Sequence, residues 1–145
     1  MRRSGAVASL LSILVSAGLL LWPALLNGYP LLFGDSGVYL GDGIHLHMSW
    51  PRPLFYGLFM LPLHLKTTVW PVVIAQAVIT ATVLHAVIRC FLPGLAAWVL
   101  IPVTAVLTTC TSLPWFVSQL MPDVFGGLMV LVLAILVLIP ARLGP

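Results

Sequence analysis

Charge is what this chain lacks. Six Lys or Arg and three acidic residues make up 6% of its 145 residues, against roughly 25% in a soluble domain. So little polar surface cannot wrap a water-soluble core of this size, which excludes an ordinary soluble domain. Cysteine is scarce too. Cys90 and Cys110 fall near opposite ends of two expected membrane helices, where a bridge would have to cross the bilayer, so both read as small apolar fillers. No repeat or low-complexity segment interrupts the apolar runs. The net charge of +3 (pI ≈ 9.3) comes from arginines flanking those runs, so it signals orientation and no nucleic-acid partner.

Apolar residues dominate: 61% of the chain, with a mean hydropathy of +1.18. Four stretches, about 6–26, 68–91, 93–111 and 122–140, could each cross a ~30 Å hydrocarbon core, which takes ~20 helical residues. "PLFYGLFMLPLHL" (53–65) is too short to cross and reads as a helix lying in the interface. The expected fold is an all-α membrane protein. It has about four transmembrane helices plus a short interfacial helix in the first outer loop, forming a single transmembrane domain over 1–145. The N-terminal run exceeds a signal-peptide core of ~7–15 residues and lacks a cleavage pattern before Asn27, so a retained anchor is expected.

Lys and Arg set the orientation. With the N-terminus cytoplasmic, Arg2, Arg3, Arg89 and Arg142 lie inside, and Arg52 and Lys66 lie outside. The same assignment puts every acid, Asp35, Asp42 and Asp123, on the outer face.

Polar chemistry therefore concentrates in two outer loops, about 27–67 and 112–122; Ser and Thr on the helices should bond back to their own backbone. Asp35 in "GDSG" sits between glycines that permit a tight turn and close ligand approach. A helix starting here places Tyr39 on the same face, a general base beside an aromatic platform; a helix cap explains Asp35 equally simply. Asp42, flanked by Gly41 and Gly43, reads as a solvated turn residue, the glycines making an unbroken helix doubtful. Asp42 with His45 and His47 could ligate a divalent metal, but a third firm ligand is missing, so no cofactor is expected. Arg52, held between Pro51 and Pro53, sits where a lipid phosphate would present itself; snorkelling to headgroups is its plainer role. Pro122 and Asp123 form a strong helix start.

Taken in order, "GDSGVYL", "RPLFYGLF" and "LPWFVSQLMPD" resemble the N-terminal blocks of GT-C superfamily membrane glycosyltransferases. The likeness is greatest to bacterial protein-mannosyltransferase and lipopolysaccharide sugar-transferase relatives. The resemblance implies transfer of a sugar from a polyprenyl-phosphate donor to an acceptor on the periplasmic face of the bacterial inner membrane. It implies Asp35 as general base and Asp123 as an assisting acidic residue; Arg52 is by position a candidate for the carrier phosphate, and Tyr39, Tyr56 and Gln119 are further candidate substrate-binding residues. Family members have eight or more spans, so a further C-terminal part or a second subunit is expected, and this portion alone should be inactive. Two other classes compete: a small polytopic transporter, for which Gln76, Thr80 and Thr82 are the modest mid-depth polar candidates, and a non-catalytic membrane assembly subunit.

Overall fold

The computed structural model describes residues 2–50, 52, 54–64 and 67–138, with side chains from Gly5 onward. Pro51, Pro53, Lys66 and Arg142, and the side chains of Arg2 and Arg3, lie outside the described residues. The chain forms α1 (Arg2–Leu20), α2 (Trp22–Asn27), α3 (Ser36–His45), α4 (Leu54–His64) and α5 (Trp70–Phe91). A 3-10 turn (Ala97–Val99) leads into α6 (Leu100–Cys110), followed by α7 (Leu113–Ser118) and α8 (Asp123–Leu138). Among the described residues no strand forms; one parallel bridge joins Leu31 to Gln119.

Proline punctuation explains most boundaries. Pro23, Pro71 and Pro114 each sit in a first helical turn, where a missing N–H costs nothing. Pro23 also breaks the first apolar run: α1 ends at Leu20, and the chain restarts as α2. Gly28, at φ 74, then closes α2 in the left-handed conformation that favours glycine. As expected, α8 begins at Asp123, and α4 and α5 fall inside the stretches assigned to them.

The helices are shorter than the four expected spans. Among the described residues, α5 is the one helix long and apolar enough to cross a membrane, with a mean hydropathy of 2.0. Gly5–Leu20, Ala97–Cys110 and Asp123–Leu138 are apolar but run only 10–17 residues. Pro23 accounts for the first shortening and the Pro93–Gly94 turn for the second. The far end of the fourth expected span lies outside the described residues.

Two further departures concern the first long loop. It holds two helices rather than one, and α3 continues through Gly41 and Gly43, so Asp42 is a buried helical residue and not a solvated turn. Gly43 meets Gly57 of α4 at backbone distance. A Cβ on Gly43 would stand 2.4 Å from the Gly57 carbonyl oxygen, and one on Gly57 would stand 2.8 Å from the Gly43 nitrogen. The glycines permit the crossing of α3 over α4; they do not end the helix.

Beside the apolar core, several polar residues are buried while many large apolar ones are exposed. Ser12, Ser16, Gln76, Thr80 and Thr104 are fully buried, as are the small residues Ala77 and Ala81. Leu10, Leu14, Val106, Val130 and Val137 point outward, Val137 at 73% exposure. Small and polar residues line the helix contacts, as in bundles packed without a hydrophobic drive between helices. The larger core side chains, Leu20, Met60, Val72, Val73, Val117 and Leu120, gather where α1, α4, α5 and α7 meet. Charge divides between the ends. Arg89 and Gly5–Ser9 of α1 border one space with Ala96–Trp98, far along α5 from the loops that carry the acids.

Gly43→Ala should cost about 1–3 kcal/mol of stability, because overpacked backbone has no side chain to move aside. Gly41→Ala, with nothing within 4 Å of the added Cβ, should be neutral or stabilising. Denaturant unfolding in detergent distinguishes the two.

Candidate functional site

A buried amide holds the two loops together. Gln76, fully buried in α5, donates from Nε2 to the carbonyls of Val117 (3.1 Å) and Gln119 (3.0 Å). Its Oε1 accepts the Tyr56 hydroxyl at 2.5 Å. Every polar group of the amide is thereby used, as burial demands. The same second loop takes hydrogen bonds from the first. Leu31 N–H donates to the Ser118 carbonyl and Leu120 N–H to the Leu31 carbonyl, both at 2.9 Å. Ser36 Oγ donates to the Leu120 carbonyl at 2.9 Å while accepting Phe33 N–H. Asp35, one residue before Ser36, is therefore set by bonds reaching across more than eighty residues of sequence.

The Asp35 carboxylate makes no capping hydrogen bond to α3; Oδ1 instead accepts Arg52 Nη2 at 2.5 Å. Both side chains are partly exposed, 37% for Asp35 and 28% for Arg52, so water screens the pair and leaves it exchangeable. Asp35 and desolvation act oppositely on the guanidinium; the hydrogen bond to Asp35 dominates and raises its pKa further.

Tyr39 lies one turn along α3 from Asp35, as the spacing suggested, and is buried edge-on against Tyr56 with ring centroids 5.3 Å apart. Burial first, then the Asp35 charge, raises the Tyr39 hydroxyl above the ordinary phenol value; Arg52 opposes this, and Asp123 and Asp42 add to it. All three acids thus act on one hydroxyl and gather at one end of the bundle. Tyr56 is raised as well, mainly by burial.

The expected site residues divide. Asp35, Arg52 and Tyr39 come together. Tyr56 is beside them, but its ring is buried and its hydroxyl is committed to Gln76, so it supports the site from beneath. Gln119 acts through its backbone, its carbonyl accepting from Gln76 and from Met121 N–H. Asp123 is exposed at the start of α8 and, among the described residues, makes no hydrogen bond. It borders a separate cavity of about 480 Å³ walled by Thr80, Leu84, Leu107, Phe116 and Leu128, a wall that includes neither Asp35 nor Arg52. Among the described residues no three His, Cys, Asp or Glu side chains converge on a metal position.

Sequence reasoning missed two roles. Gln76 was visible as a lone amide in an apolar helix, but its partners at 56, 117 and 119 were not. Asp42 accepts Ser49 Oγ at 2.7 Å on Oδ1 and Ser49 N–H at 3.2 Å on Oδ2. These bonds, the hydroxyl's first, lower the Asp42 pKa below its ordinary 3.8. A lowered folded-state pKa gives stability that is present above the unfolded value and disappears as pH falls through the folded one. The protection factor of the Ser49 amide should therefore hold from neutral pH down to 3.8 and fall only below it, whereas in Asp42→Ala it should be low at every pH.

Comparison with known proteins found no family model, no curated protein and no solved structure that matches this chain.

Proposed function

We propose that this chain is part of an integral-membrane glycosyltransferase of the GT-C type, moving a sugar from a polyprenyl-phosphate donor to an acceptor on the periplasmic face of a bacterial inner membrane. The membrane part rests on the outward leucines and valines. In water each fully exposed large apolar side chain forgoes about 1.5–3 kcal/mol of burial, and a hydrocarbon solvent removes that deficit. The separation of Arg89 and the α1 start from the acid-bearing loops supports a cytoplasmic N-terminus.

The observation that carries the catalytic part is the Asp35–Arg52 pair. A carboxylate not used as a helix cap stands beside a guanidinium whose one acceptor among the described residues is that carboxylate. In the proposed reaction Asp35 takes the proton of the acceptor hydroxyl as its oxygen attacks the anomeric carbon. The bond from that carbon to the carrier phosphate oxygen breaks, and the phosphate leaves with the electron pair. Arg52 binds the charge developing on it. A single displacement of this kind inverts the anomeric centre. Tyr39 floors the site. Asp123, facing its own cavity, assists through its field alone.

The transporter alternative loses its candidates. Gln76 is fully bonded, Thr80 donates back to the Gln76 carbonyl, and Thr82 to that of Val78. An assembly subunit without chemistry keeps one supporting observation: Asp35 is already neutralised by Arg52.

The test uses host membranes in which the chain is present together with the further part or second subunit it is expected to need, and a polyprenyl-phosphate-linked sugar. Asp35→Asn should lower transfer by about 10²-fold or more, the contribution of a general base, with membrane insertion unchanged and reporters at residues 35 and 123 both facing outward. Transfer undiminished in Asp35→Asn would remove the base. Inward-facing acids would remove the topology.

A further inference from the structure

Arg52 is not on a helix. Its side chain returns to Asp35 at the start of α3, and the strap Leu46 to Trp50 before it leaves the C-terminal end of that helix. We propose that Asp42 is a positioning residue for the phosphate-binding Arg52, its clamp on Ser49 fixing the strap that delivers the guanidinium to Asp35.

The bonds run in a chain. The Asp42 carboxylate holds Ser49 through both its hydroxyl and its amide. The Ser49 carbonyl in turn accepts Arg52 N–H at 2.7 Å, and Arg52 Nη2 reaches Asp35. Asp35 and Asp42 are seven residues apart, two turns of α3, so they stand on one face of that helix. The strap is thus tied to one helix face at two carboxylates, one at each end.

Its first residue shows the constraint. Leu46 adopts φ 51, a left-handed conformation that a branched side chain avoids. Two amides hold it there by donating to the Asp42 carbonyl, those of Leu46 and His47. Asp42 therefore governs the strap through its backbone oxygen and its side chain together. Its burial at 5% exposure fits a structural anchor; a buried carboxylate needs donors, and Ser49 supplies two. Trp50, by contrast, is 86% exposed, so nothing else among the described contacts packs the middle of the strap. Arg52 also acts on Asp42 electrostatically, and it does not replace the Ser49 bonds.

This inference rests on the reading of Arg52 as a phosphate site, and the test separates the two. The chain is placed in phosphatidylcholine nanodiscs and titrated with dodecyl phosphate, with dodecanol as the uncharged control. Trp50 fluorescence, taken as the difference from Trp50→Phe, reports binding beside Arg52. Asp42→Ala and Ser49→Ala should each weaken dodecyl phosphate by about tenfold, the worth of a charge-assisted hydrogen bond. The double variant should be no worse than either single one, because both remove the same clamp. Asp42→Asn keeps an acceptor for Ser49 and should bind close to wild type, while dodecanol partitioning should not change in any variant. A merely structural residue would lower folded yield without this selective loss for phosphate and without rescue by asparagine. If Asp42→Ala fails to fold, Ser49→Ala decides alone. Wild-type phosphate binding in Ser49→Ala, with loss in Arg52→Ala, overturns the positioning role and leaves the phosphate site standing. Undiminished binding in Arg52→Ala overturns both.

Discussion

One side-chain amide organises the site. Gln76 is enclosed by α4, α5 and the segment after α7, and each of its polar atoms has a partner. In a low-dielectric interior such bonds are strong when made and costly when missing. The amide therefore dictates where Tyr56 and the Val117–Gln119 backbone stand. Leu31 binds that backbone at Ser118, and Leu31 and Ser36 both bind Leu120 just after it, which places Asp35. Remove the amide and the two loops keep only the bonds that Leu31 and Ser36 make to Ser118 and Leu120.

The rest of the arrangement follows from scarcity. With three acids in the chain and an interior of small and apolar side chains, each carboxylate needs a specific solution. Asp35 finds Arg52, Asp42 finds Ser49, and Asp123 stays exposed at a helix start where the dipole favours it. The first of these is the one suited to chemistry. Its pair is partly wet and its carboxylate is uncommitted to the helix, so an anionic ligand can exchange for it. Asp42 is buried and doubly bonded, which suits an anchor and not a base.

Local signals were legible in the sequence and long-range ones were not. Pro122–Asp123 announced the start of α8, "PLFYGLFMLPLHL" announced α4, and Thr80 and Thr82 bond back to their own helix as a hydroxyl on an apolar helix does. Each depends on neighbours within a turn or two. Gly41 and Gly43 misled; Gly43 is needed for close helix contact, which looks the same in sequence as a glycine that ends a helix, and its reason, Gly57, lies fourteen residues away. Pro23 cut the first apolar run, which hydropathy alone read as continuous. The proximity of Asp35, Tyr39 and Arg52 was partly legible, because the first two lie within one turn of α3. Tyr56 and Gln119 were taken for ligand contacts because their true partner, Gln76, sits in another helix.

A double-mutant cycle on Tyr56→Phe and Gln76→Leu tests the central claim most directly. Gln76→Leu strands the Tyr56 hydroxyl and the Val117 carbonyl and takes one of two donors from the Gln119 carbonyl, so unfolding in detergent should show a loss of about 3 kcal/mol or more. In the Tyr56→Phe background the loss should be smaller, leaving a favourable coupling of about 1 kcal/mol or more between the two side chains. Additive effects, or a Gln76→Leu chain as stable as wild type, would contradict the account.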